Sequence, residues 1–134
     1  MLRRFGTYKD SAYTQGVQRI LWCQSFDQCV TDINVFADGA FGPNTAASVR
    51  EFQGANNLLV DGIVGPDTWG ALFSKIAIIP DTSTNTSDSY AIEGCNAAIV
   101  QFYKEFDGLT PLGWKMARTP GSAEAVEFGS GAPY

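Results

Sequence analysis

Enzyme chemistry needs nucleophiles, bases, acids or metal ligands, and the most versatile of these is missing: the chain has no histidine. Ser-His-Asp and Cys-His catalysis both depend on an imidazole base, and the common zinc hydrolases depend on imidazole ligands. The three cysteines, Cys23, Cys29 and Cys95, are odd in number and fit no zinc or haem spacing. Buried apolar thiols are the plain reading for them. A Cys23–Cys29 bridge is the alternative, and it requires an oxidising compartment. Two-carboxylate glycoside hydrolysis stays open as a chemistry. Glu51, Glu93, Glu105, Glu124, Glu127 and nine aspartates could supply the pair, but no spacing sets two of them across a cleft. The expectation is a chain with no catalytic residues, no metal and no cofactor.

What the sequence offers instead is a near-repeat. Asp38-Gly39-Ala40-Phe41-Gly42-Pro43-Asn44-Thr45 recurs 23 positions later as Asp61-Gly62-Ile63-Val64-Gly65-Pro66-Asp67-Thr68. In each copy Asp-Gly predicts a tight turn, because Asp bonds to the following backbone and Gly accepts positive φ. Phe41 and Val64, two past the Gly, are placed to dip into a core. The second Gly gives the chain room to reverse. Pro then fits the first turn of a coming helix, where no N–H is needed. Asn44, Asp67, Thr45 and Thr68 are available as capping oxygens. Read locally, these are two helix-entry turns and need no ligand.

The elements around the repeat are legible from apolar spacing. Residues 1–12 read as a polar, extended arm. From Tyr13 a helical face appears in Tyr13, Val17, Ile20 and Leu21, with Trp22 beside it. Asp27 to Ala37 reads as an irregular connection. A second helix is predicted from Asn44 to Ala55 through Ala46, Val49 and Phe52, and a short third one through Trp69, Leu72 and Phe73. These make a helical domain over 13–79. The Ser/Thr-rich stretch 80–90 reads as a linker. Beyond it, alternation across Ala98–Phe106, Trp114–Arg118 and Ala125–Phe128 predicts a two- or three-stranded antiparallel meander within 91–134, with a helix over 92–106 as the competitor. So small a sheet cannot stand alone and must pack on the helices or on a partner. The fold class is therefore α+β: a three-helix bundle followed by a short β meander.

Five segments in order carry a resemblance: Val17-Gln18-Arg19-Ile20-Leu21; Asp38-Gly39-x-Phe41-Gly42-Pro43-x-Thr45; Ala47 to Gln53; Val60-Asp61-Gly62; and Ile63-Val64-Gly65-Pro66-x-Thr68-Trp69-x-x-Leu72. Together they resemble the peptidoglycan-binding domain family, the three-helix wall-binding module of bacterial and phage lytic enzymes. The resemblance covers about 16–73. It departs from the family at Asn57, where Gly is usual, and in the long Trp22–Ala37 connection with its two cysteines. It implies a shallow groove rimmed by the two Asp-Gly loops that accepts a muropeptide or glycan strand of peptidoglycan. The implied ligand-binding residues are Asp38, Gly39, Phe41, Gln53, Asp61, Gly62, Ile63 and Trp69. For several of these a structural role competes: Trp69 as core, Gln53 as a bridge between loops, the aspartates as supports of their own turns.

Bulk properties narrow the partners. Formal net charge is -5 and the sequence pI about 4.5. That is no footprint for a nucleic-acid partner, and no attraction to an anionic membrane surface. Nothing approaches the roughly 18 consecutive apolar residues of a membrane span. Met1–Phe5 has the basic start of a signal peptide, but Gly6 to Gln15 is polar where an apolar stretch should follow. The sequence thus predicts a non-catalytic wall-binding module, extracellular or wall-associated, or carried on a phage virion. The alternative is a virion structural or decoration protein that reuses the fold for contacts with other virion subunits through Phe102, Trp114 and Phe128.

Overall fold

A computed structural model of the chain describes residues 2–6, 11–79, 87–96, 98–107, 110–121 and 125–129. Four helices precede the sheet: α1 (Ala12–Cys23), α2 (Ile33–Phe36), α3 (Pro43–Ala55) and α4 (Pro66–Phe73). Among the described residues no helix is long and apolar enough to cross a membrane. Ser11 caps α1, its hydroxyl accepting from Thr14 N at 3.2 Å. The helix stops where Ser25 turns left-handed (φ 70°) and Phe26 N donates back to Leu21 O. At the end of α3, Asn57 takes the same role (φ 57°), with Leu58 N donating to Gln53 O at 2.9 Å. Asn thus fills the position where the family pattern has Gly, as its tolerance of the left-handed region allows. α2 is a single turn capped by Asp32. It lies inside the connection read from sequence as irregular, and it makes four helices where three were expected.

The sheet is larger than the alternation predicted. Five antiparallel strands run in sequence order: β1 (Ile76–Ile78), β2 (Ser87–Ile92), β3 (Phe102–Asp107), β4 (Thr110–Ala117) and β5 (Ala125–Gly129). β1 occupies the end of the expected helical domain. The first residues of β2, Ser87 to Tyr90, come from the stretch read as a linker, and 81–86 lie outside the described residues. Polar composition misleads here because a strand is fixed by its neighbours. Asp88 and Ser89 pair with Lys104 and Tyr103, and Tyr90 with both Phe102 and Ile78. Among the described residues of 92–106 none is helical: 92 and 102–106 are in strands.

One core serves both halves. Val17, Ile20, Leu21, Phe41, Val49, Phe52, Val64, Trp69 and Leu72 from the helical part cluster with Ile92, Phe102 and Met116 from the sheet. Burying each such large side chain is worth about 1.5–3 kcal/mol. The arm contributes as well: Leu2 is fully buried and pairs with Val64 through two backbone hydrogen bonds.

Polar and covalent contacts pin the seam. Arg19 is buried and its guanidinium donates to Ala117 O at 2.6 Å and Arg118 O at 2.8 Å. Burial lowers its pKa to about 10, so it still carries its charge at neutral pH. Gln24 Nε2 donates to Glu93 O. Cys23 and Cys95 form a disulfide across 72 residues, and Cys29 is the free, exposed thiol. Neither the reading as buried thiols nor the Cys23–Cys29 alternative holds. The true pair meets only because the β2–β3 turn folds back onto the end of α1, which linear spacing does not encode. Gly94 in that turn has φ +88°, and a Cβ there would fall 2.1 Å from Cys23 O, so no other residue fits.

Candidate functional site

The two Asp-Gly loops are built on one template, and the builder is a glutamine from a preceding helix. Gln18 of α1 donates from Nε2 to Asp38 Oδ1 (3.1 Å), Ala40 O (2.9 Å) and Thr45 Oγ1 (2.9 Å), and its Oε1 accepts from Gly39 N (2.8 Å). Gln53 of α3 donates to Asp61 Oδ1 (2.9 Å), Ile63 O (3.0 Å) and Thr68 Oγ1 (3.2 Å). Its Oε1 accepts from Asp61 N (3.1 Å) and Gly62 N (3.0 Å). Each Asp closes its own turn, accepting at Oδ1 from Ala40 N or Ile63 N at 2.9 Å. Gly39 and Gly62 take φ 82° and 74°, as the turn requires. Both glutamines are buried, and a buried amide of this kind is tolerated only with its hydrogen bonds satisfied.

After each loop the chain enters a helix in the same way. Gly42 and Gly65 are extended N-caps, Pro43 and Pro66 occupy the first turn, and neither helix has a side-chain cap. This corrects the expected capping role of Asn44, Asp67, Thr45 and Thr68. The threonine hydroxyls accept from the glutamines instead. The first helical N–H groups therefore have no capping side chain.

Each loop opens into a shallow cleft. The first has a volume of about 250 Å³ and lies between Asp38, Ala40 and the Pro43–Thr45 turn on one side and Val30, Val35 and Phe36 on the other. The second, of about 260 Å³, lies between Asp61, Ile63 and the Pro66–Thr68 turn and Leu58 and Leu59. Both linings combine the turn's polar residues with apolar side chains, aliphatic and aromatic in the first cleft and aliphatic in the second. Such a surface suits a ligand that carries amides and methyl groups together.

The structure divides the residues implied as ligand-binding into two sets. Asp38 and Asp61 are exposed at the cleft rims, and Gly39 and Ile63 are partly exposed beside them. Phe41, Gln53, Gly62 and Trp69 are buried. Trp69 is fully inside and stacks on Phe73 at 5.0 Å, so its ring gives no face to a ligand. Gln53 acts through the loop it holds. The outer walls, Val30, Val35, Phe36, Leu58 and Leu59, are not legible in the sequence, because a single helical turn such as α2 and the connecting loops are too short to show a periodic signal. Gln18 had a signal: Val17-Gln18 and Phe52-Gln53 each set an amide next to a core residue on a helix's inner face.

A small helical bundle packed on a sheet, with paired loops that open into two shallow clefts, has the form of a binding module. The chain belongs to the peptidoglycan binding domain family, whose model matches residues 1–72, just over half of its 134 residues. It is similar to a zinc D-Ala-D-Ala carboxypeptidase of Streptomyces albus G, 37% identical over 68 residues, which is 50% of this chain and 26% of that one. It is also similar to an uncharacterized protein in the bpoA1 3' region of Kitasatospora aureofaciens, 57% identical over 35 residues, 26% of this chain and 30% of that one. The chain thus matches a third or less of the length of either curated relative. No solved structure matches it significantly. Family membership supports cell-wall binding as the function.

Proposed function

We propose that the chain is a non-catalytic module that tethers its carrier to the bacterial wall by holding peptidoglycan in the loop-flanked clefts. The observation that carries this reading is the twin Gln–Asp–Gly–Thr template, which fixes both loops and leaves their rims open. It operates within the wall-binding family. The carboxypeptidase similarity fits the same picture, since a wall anchor is useful to a protein that acts on D-Ala-D-Ala. The lack of histidine supports the non-catalytic part. Wall association then sets the location as extracellular, on the cell surface or on whatever particle carries the chain there. The virion-contact alternative draws no support from two of its three residues. Phe102 is fully buried, and Trp114 stacks on Phe73 at 6.1 Å and packs tilted against Tyr90 at 5.0 Å; the Phe128 side chain lies outside the described residues.

The test is co-sedimentation of the purified chain with isolated sacculi, followed by assay of the supernatant for released sugar ends and peptides. Retention above a control protein of equal charge is expected, with no release. Release would overturn the non-catalytic reading, and absence of retention would overturn wall binding.

A further inference from the structure

We infer that the two clefts are matched subsites that engage successive repeats of one peptidoglycan strand, an inference that rests on the wall-binding function proposed above. Their likeness goes beyond the sequence repeat. Asp38 and Asp61, Gly42 and Gly65, Pro43 and Pro66, and Thr45 and Thr68 stand at corresponding points of the two linings, and the volumes agree at about 250 and 260 Å³. A ligand with a single recognised group needs one such cleft. Two equal clefts fit a ligand that presents the same group twice, and the wall is a polymer of identical N-acetylated disaccharide–peptide units.

The apolar walls support this independently. They come from unrelated segments, the α1–α3 connection in one case and the α3–α4 connection in the other, yet both end in aliphatic side chains held in water. Val35 is 64% and Leu59 81% exposed, and Val60, next to Leu59, is 53% exposed. The other large apolar side chains so exposed, among the described residues, are Phe5 and Ile78. A single exposed apolar side chain is ordinary, and what distinguishes Val35 and Leu59 is that each stands beside the polar turn of a cleft. The arrangement recurs at both clefts, where an acetamido methyl or an alanyl side chain would cover the apolar group while the amide meets the backbone. Neither cleft is deep, so each alone binds weakly. Joined on one polymer, the second contact becomes intramolecular and multiplies retention by about 100-fold or more.

The experiment is a set of binding isotherms on sacculi for wild type, Val35→Asp, Leu59→Asp and the double variant. Both side chains are largely in solvent, so thermal midpoints should stay within a degree or two of wild type. Each single variant is expected to lose about 100-fold in affinity, to a common residual level, and the double variant to fall to the level of a control protein. If one single variant binds like wild type, pairing is overturned while wall binding stands. If wild type itself fails to bind, both fall together. A second readout is independent of the variants: amide chemical shifts of the wild type titrated with a soluble disaccharide–peptide monomer. Residues 39–45 and 62–68 should move together, and movement of one set alone overturns the inference.

Discussion

The two loops share a template and differ in how they are held. In the second, the glutamine and the aspartate it binds are 8 residues apart, both within the α3–α4 hairpin. In the first they are 20 apart, and the glutamine belongs to α1. Closing the longer loop costs about 0.8 kcal/mol more in chain entropy. The first loop has extra support to match: Ser11 N donates to Gly39 O at 3.0 Å, and Gln15 Nε2 to Ala37 O at 3.1 Å. Its supporting helix is in turn fixed to the sheet by Arg19 and the Cys23–Cys95 disulfide. The same loop geometry is thus obtained from local chain in the second loop and from long-range contacts in the first, and only the first depends on the rest of the molecule.

The strongest way to break this comparison is to cut the seam. Replacing Cys23 and Cys95 together by Ser should cost about 4 kcal/mol by the chain-entropy account of a 72-residue separation. A thermal melt will show the loss. Amide exchange locates it: protection at Gly39 should fall further than at Gly62, since the first loop hangs on α1. Equal falls would mean that both loops feel the seam alike.

A smaller effect, and a sharper one for the template, comes from the glutamines. Gln18→Ala and Gln53→Ala each remove a buried amide that donates to a loop carbonyl and accepts from loop N–H groups. Each orphaned group costs about 1–3 kcal/mol, so a loss of about 3 kcal/mol is expected for either in urea unfolding. Gln53→Ala should be the worse, because Gln53 accepts from two backbone N–H groups and Gln18 from one. A cost under 1 kcal/mol at both would show that the loops hold their shape without the amides.

The contrast also explains what could be read from sequence. Helical spacing and the Gly-Pro helix entries made the bundle legible, and Asp-Gly made the two turns legible, because each is a local rule. The partners of those turns were harder. A buried Gln on a helix shows only that something polar needs it, and which loop it meets depends on packing. Periodicity also cannot tell a core aromatic from a ligand platform, and Trp69, placed by the resemblance at the ligand, is core. The first residues of β2 read as linker because Ser87, Asp88 and Ser89 have no apolar pattern; their place comes from pairing with β3. The disulfide and the cleft walls Val35 and Leu59 lie furthest from view, since they depend on how a one-turn helix and short connections pack, which no local rule encodes.

The smallest predicted effect addresses the one charge that differs between the repeats. The first turn of α4 contains Asp67, and the first turn of α3 has Asn44 at the same point and no acidic residue. A carboxylate near a helix N-terminus stabilises by about 0.3–1 kcal/mol at low ionic strength and less in salt. Asp67→Asn should lose that amount and Asn44→Asp should gain it, as read by denaturant midpoints at low and high salt. On the wall-binding function proposed above the exchange bears on retention too, because added negative charge at either cleft would weaken its hold on an anionic wall group. If Asn44→Asp stabilises the fold yet weakens retention on sacculi, the uncharged entry of the first repeat serves the ligand at some cost to the helix. If stability and retention rise together, the two repeats differ only in how they fold.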